Sequence, residues 1–351
     1  SFKNLTFYSP NDNYLVWMRN QTQHVTFENC AFIAEPTNVF SSALLVASGN
    51  AANPNVAGNN ANFITVDNCL FENGYYGISL HGDVAVNNTE FNLLNNTFTG
   101  QYLSSLNIRQ ADNVFIKNNT INTGTTNNFG YGMYLLGVNG AQVNANHVTV
   151  EGTGMLVANS GTSTQANTLT NNMIIADGEG FDFNSCNNLN VYHNSVSGNG
   201  IACYFSSNSN LVDVRNNIFS SNQNLAFSSL NAITGLTLNY NIYNRQNTGN
   251  LVNYVVNYAD LTAWKTGQPT LNVNSLQGNP NFVSGSDLHV YGQLANDVGV
   301  NISTVITDFD GETRPMAPST TVDIGADEFT PKLIDASVLA LYEPIINCGA
   351  T

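Results

Sequence analysis

Along most of the chain, apolar residues hold fixed positions around a recurring pair, seen in "NNTF" at 95–98, "NNTI" at 118–121, "NNMI" at 171–174 and "NNIF" at 216–219. With the second residue of each pair as marker, the column reads Cys30, Cys69, Asn96, Asn119, Asn146, Asn172, Asn194, Asn217 and Asn241. Three positions earlier every entry is apolar, from Phe27 and Val66 to Val214 and Leu238. Two positions later the same holds, from Phe32 and Phe71 to Phe219 and Tyr243. Five positions earlier only Asn167 breaks the rule. Apolar residues at every second position predict a short strand with one side inward.

The marker intervals are 39, 27, 23, 27, 26, 22, 23 and 24 residues, so the unit is a coil of a stack rather than an independent domain. A second ladder starts at glycines: Gly77-Ile78, Gly132-Met133, Gly154-Met155, Gly180-Phe181 and Gly200-Ile201. Each coil therefore carries at least two strands with bends between them, where glycine is expected to supply a positive φ. Coils stacked about 4.8 Å apart pair each strand with its counterparts above and below, which gives a parallel β-helix. The paired asparagines are expected to form an amide ladder at an inward corner, tolerating left-handed backbone there. Cys30 and Cys69 occupy the first two rungs, where unpaired stacking is expected. His193 takes the first place of one pair and is read as a substitute corner residue.

The coils run over 1–243, with about nine to ten turns and Gly/Asn-rich loops at 48–62 and 122–130. Residues 244–330 read as a closing segment that caps the stack. They open on a short helix in 258–267, with Asp260 as N-cap and Gly267 near its end. Residues 331–351 alternate like the lead-in to a β-sandwich of immunoglobulin type. The first strand has no cover for the end of the stack, so further polypeptide is expected on both sides.

Composition narrows the classes. Roughly one residue in six is Asn, charged residues are 9% and aromatics 10%, which is a folded, polar-surfaced balance. Nine Lys+Arg against 24 Asp+Glu leave a net charge of −15, which argues against nucleic acid and anionic membranes as partners. No apolar run approaches the ~20 residues of a membrane span. The opening "SFKNLTFYSP" lacks a secretion-signal pattern, so a signal is expected to have been removed or the piece excised. The five cysteines, Cys30, Cys69, Cys186, Cys203 and Cys348, follow no metal spacing and read as small buried hydrophobes.

The closing stretch contains "NPNF" at 279–282, "DFDGETRP" at 308–315 and "DIGADEF" at 323–329. With the coils, these elements resemble secreted bacterial right-handed parallel β-helix proteins of pectate-lyase-like architecture that end in NPxF, DxDGxxRP and DIGAxEF. The resemblance covers roughly residues 20–330. It implies an all-β, right-handed parallel β-helix in an extracellular, cell-surface protein. Such helices serve lyases, hydrolases and adhesins alike, so activity must be argued from side chains. Arg314, among Asp308, Asp310, Asp323, Asp327 and Glu328, is expected to make a buried pair with a carboxylate. Asp308 and Asp310 are weak candidates for calcium, the one cofactor considered.

Positions two and four after the glycines point outward: Ser79 and His81, Tyr134 and Leu136, Leu156 and Ala158, Asp182 and Asn184, Ala202 and Tyr204. Asn107 and Arg109 come from the coil without the glycine. Three chemistries compete for this face. A lyase on acidic polysaccharide would use His81 or Tyr134 as base and Arg109 to neutralise a uronate. A glycoside hydrolase would draw its acid and base from Glu151, Asp177, Glu179 and Asp182. A polysaccharide-binding or adhesive module needs only aromatics and amides, and His81, Asn107, Arg109, Tyr134, Asp182 and Tyr204 are its candidate contacts. Binding of a polysaccharide or cell-surface glycan is the leading expectation, with enzyme activity the alternative.

Overall fold

The computed structural model describes residues 1–331 except 12, 84, 86 and 124–126; the sandwich-like lead-in and Cys348 lie outside them. The chain winds as a right-handed parallel β-solenoid of about ten turns. Each coil contributes strands to three faces. The first runs through Asn62–Asp67, Asn88–Leu94, Gln142–Asn144, Asn187–Tyr192 and Asn210–Arg215. The second runs through Leu70–Glu72, His147–Val150, Ser195–Gly198 and Ile242–Arg245. The third runs through Ala43–Ala47, Tyr76–His81, Tyr131–Asn139, Phe181–Asn184 and Phe227–Ser229. The long strand Ser104–Lys117 serves both the first and third faces and joins them in one 20-stranded sheet, while the second face is an 11-stranded sheet.

The register columns match the apolar columns. Phe91, Val114 and Phe98, Ile121 stand opposite one another on neighbouring coils, and each is buried. Phe7, Phe32, Phe71 and Phe98 stack through the core with centroids 4.9, 4.6 and 4.8 Å apart, close to the strand spacing itself. Asn167, the polar exception, is buried but satisfied: its Nδ2 donates to Val138 O and its Oδ1 accepts the Ala141 N–H, both at 2.8 Å.

The two residues of each pair divide the corner between them. The first has the left-handed backbone, with φ between 52° and 59° from Asn29 through Ala145 and His193 to Tyr240. The second points inward. From Asn96 to Asn241 each Nδ2 donates to the next Oδ1 at 2.9–3.0 Å, and that same Oδ1 accepts the backbone N–H one coil earlier. Each Nδ2 also reaches a strand carbonyl of the preceding coil, as Asn146 does to Ile116 O at 2.9 Å. At the start of the file the Cys30 N–H approaches Cys69 Sγ at 3.4 Å, and all four described cysteines are free and buried.

The glycines of the third face act otherwise than expected. Gly77, Gly132, Gly154 and Gly180 have no positive φ. A Cβ on Gly154 would stand 2.3 Å from Ile174 Cγ2 and 2.6 Å from the Gly180 carbonyl oxygen, so what the site lacks is space. The position is taken by Ala202 in the next coil, which is buried; Gly200 lies outside the column.

Parallel pairing continues past Tyr243 to Leu276–Gln277. The end of the stack is closed by helix α1 (Leu261–Gly267), whose N-cap Asp260 accepts the Ala263 N–H at 2.7 Å. Its Trp264 is fully buried against Phe227, Tyr243 and Tyr254. The segment with the NPxF, DxDGxxRP and DIGAxEF elements does not sit on that end. It folds back outside the asparagine corner, where the Gly325 N–H donates to Asn216 O and the Ala326 N–H to Ser195 Oγ, at 2.9 and 3.0 Å. Asn216 and Val300 exchange two further bonds, and Asn171 Nδ2 donates to Thr307 O. Gly325 (φ 112°) lies so close to Ile218 Cδ1 that a Cβ would come within 2.6 Å. The expected buried pair is present: Arg314 Nη1 donates to Glu328 Oε2 at 2.7 Å and Nη2 to Gly325 O at 2.9 Å.

Candidate functional site

On the third face the outward positions form two files. Ser79, Asn107, Tyr134, Leu156, Asp182 and Tyr204 stand in register in one; His81, Arg109, Leu136, Ala158 and Asn184 stand in the other. Tyr204 therefore belongs to the file of Asp182. Ala202, expected outward, points inward with the glycines.

The 48–62 loop folds over the start of this face. Ser79 Oγ donates to Pro54 O, and Asn107 Nδ2 donates to Asn55 Oδ1 at 2.7 Å and to Ser79 Oγ at 2.8 Å. Ser79 and Asn107 are buried as a result, so Asn107 presents no amide to solvent. Its remaining oxygen accepts Arg109 Nε at 2.9 Å. Asn107 is thus a positioning residue for Arg109.

Arg109 stands beside His81 on adjacent paired strands, and its guanidinium lies 4.6 Å from the Tyr134 ring centroid. The Tyr131 ring meets Tyr134 edge-on at 5.2 Å. Among the described residues no carboxylate pairs with Arg109, whereas Lys3, Arg215 and Arg314 each have one. His81, Arg109 and Tyr134 therefore converge at the rim of the loop.

The electrostatics of the group are coherent. Burial lowers the His81 pKa below 6.5 and the Arg109 charge lowers it further, against the Asn55 backbone. The imidazole is then neutral at neutral pH, and its buried Nδ1 has no hydrogen-bond partner among the described residues. The Tyr131 hydroxyl is raised by burial, then by Tyr134, Asp182 and Glu179, with Arg109 opposing. Burial also raises Asp182, which accepts a short hydrogen bond from Ser206 Oγ. Ser206 was not singled out in the sequence, because misplacing the glycine column by two residues hid its outward position.

The four candidate hydrolase acids are divided. Glu179 and Asp182 share the Tyr131 neighbourhood, where Glu179 Oε2 accepts Thr153 Oγ1 at 3.1 Å. Asp177 is exposed, accepts Asn199 Nδ2 at 2.7 Å, and lines a groove of about 450 Å³ between the second face and the closing segment. Glu151 lies one coil earlier in the same turn, its carbonyl accepting the Gly178 N–H.

Two features escaped the sequence reading. The first face carries a groove of about 690 Å³ lined by Gln142, Asn144, Thr168 and Asn190 and walled by Thr304 and Val305. Its wall belongs to the returning segment, which no periodicity places there. In that segment, both oxygens of Asp308 accept backbone N–H groups, from Glu312 and Glu328, while Asp310 faces His289. The Asp-x-His spacing at 287–289 was the available signal for His289.

Residues 55–219 match the family model described as right handed beta helix region. The matched span contains His81, Arg109, Tyr134 and Asp182, and fits a β-helix of the pectate-lyase-like kind. No curated protein matches the chain.

Proposed function

We propose that the chain is an extracellular, cell-surface module that binds a polysaccharide along its third face, with Arg109, Tyr134 and His81 at the centre of the contact and Asp182 and Tyr204 further along it. The observation that carries this reading is the Arg109 guanidinium. Among the described residues it has no carboxylate partner, and it lies over Tyr134 and is held by Asn107. In a chain of net charge −15, an oriented cation is suited to a single acidic group on a sugar, while the file from Tyr134 to Tyr204 offers two rings and the Asp182 carboxyl to its neighbours. The resemblance of the closing segment to secreted bacterial proteins supports the extracellular placement.

A glycan array followed by titration of the best ligand tests the proposal. Arg109→Ala is expected to weaken binding about tenfold to a hundredfold, as for the loss of a charge-assisted hydrogen bond. Equal binding by wild type, Arg109→Ala and Tyr134→Ala would remove this face from consideration.

A second reading is favoured by one observation, the neutral His81 imidazole beside the Arg109 cation. A base so placed takes the proton α to a uronate carboxylate as the bond to the leaving sugar oxygen breaks and a double bond forms. Ultraviolet absorbance of unsaturated products during incubation with acidic polysaccharides, lost in His81→Ala, would replace the binder with a lyase.

A further inference from the structure

The closing segment holds a cluster that the glycan contact does not use. The strand Asp287–Val290 alternates, so Asp287 and His289 share a side. His289 Nδ1 meets Asp287 Oδ1 at 2.5 Å, and Nε2 is turned to Asp310 Oδ2, 2.9 Å away. Asp327 arrives from a third stretch. Its Oδ2 accepts the Val290 N–H at 2.9 Å, and the residue is only 6% exposed. One ligand atom from each of His289, Asp310 and Asp327 lies within 4.8 Å of the others.

We propose that His289, Asp310 and Asp327 bind one divalent first-row cation of the zinc class, with Asp287 positioning the imidazole. Neighbouring ligands around an ion bound at about 2.0–2.1 Å are about 2.9 Å apart at a right angle and about 3.4 Å at the tetrahedral angle. His289 and Asp310 already have that separation, so the ion replaces the proton on Nε2, which leaves to solvent, with little movement of either side chain. Asp287 on Nδ1 reproduces the carboxylate–imidazole arrangement that orients metal-bound histidines. The mixed nitrogen and oxygen set favours zinc or its neighbours over calcium, which takes six to eight oxygens. The buried Asp327, with a ligand atom within 4.8 Å of those of His289 and Asp310, completes the same site. The ion joins residues 287–289, 310 and 327, pinning the hairpin Phe282–Ser284/Asp287–Val290 to the stretch that docks on the asparagine corner.

The same contacts without metal require a protonated His289, and the two states answer pH in opposite ways. Zinc affinity falls as pH falls, because the proton competes for Nε2. A purely protonic clasp tightens as pH falls. The test takes the full chain, stripped with chelator, and titrates it by calorimetry with zinc, manganese and calcium chloride at neutral and mildly acid pH. Cobalt(II) absorption reports the ligand geometry. One ion per chain is expected, with zinc at least about tenfold tighter than calcium and weaker binding in acid. Asp287→Asn is expected to lose about tenfold to a hundredfold in affinity, and His289→Ala more. Asp310→Asn alters an exposed side chain and leaves the fold intact by circular dichroism, so its loss of affinity reads the site and not folding. Absence of saturable binding, calcium tighter than zinc, or wild-type affinity in both His289→Ala and Asp310→Asn would overturn the proposal.

Discussion

At the scale of the residue, the corner pair separates two demands that the sequence shows as one motif. Asn146 in the second place makes an amide relay: Nδ2 to Asn172 Oδ1 and Ile116 O, Oδ1 from the Asn119 N–H and Nδ2. Removing it strands several buried partners at about 1–3 kcal/mol each. Asn146→Ala is therefore expected to cost at least about 3–5 kcal/mol in urea unfolding. Asn118, in the first place, contributes its φ of 57° and one exposed bond, from Nδ2 to Asn95 Oδ1 at 3.2 Å. Asn118→Gly should stay within about 1 kcal/mol of wild type, and Asn118→Val should lose about 1–2 kcal/mol. A ladder variant as mild as the corner variant would refute this division of roles. Both columns were legible because the corner pair recurs from coil to coil. Arg109 was legible as outward, but its orientation by Asn107 was not, since the 48–62 loop that buries Asn107 repeats nowhere else.

At the scale of the element, what limits each coil is the closeness of its third face to its second. Gly154 faces the Ile174 side chain and the Gly180 carbonyl, and the latter is backbone that cannot turn aside. Gly154→Ala should destabilise by about 1–3 kcal/mol or more through overpacking. The double change with Ile174→Ala, which removes the clashing Cγ2, should recover only part of that relative to Ile174→Ala alone, because the carbonyl contact remains. Full recovery would show that the side chain alone sets the constraint. Glycine spacing in the sequence marked these positions, and the cause assigned, backbone φ, was a local one. The real cause lies in the neighbouring coil, which a single strand's pattern does not display. The same holds for α1. Its cap and length were readable, but its Trp264 closes the stack only because Phe227, Tyr243 and Tyr254 end there together.

At the scale of the whole molecule, the returning segment and the coils meet over titratable groups that pull against each other. Asp323 accepts N–H groups from Asp297 and Phe329 at 2.5 and 2.8 Å, yet burial raises its carboxyl from 3.8 to about 7, with Glu328 and Asp297 adding to the rise. An acid with a raised folded-state pKa contributes stability that is complete below about 4 and is lost as pH climbs through about 7. His193 lies buried under the same segment, where burial and the Arg314 charge hold its pKa well below 6.5. Its contribution is complete above about 6.5 and is lost as pH falls. Thermal melts across about pH 4 to pH 8 should therefore show two opposed slopes that single changes remove separately. Asp323→Asn should abolish the loss between about 4 and 7. His193→Asn places at this corner the residue used at Asn171 and Asn216, and should reduce the loss in acid. If the two variants follow the wild-type profile in parallel, the corner does not govern how the segment is held, and the pH response must arise on the open faces of the coils.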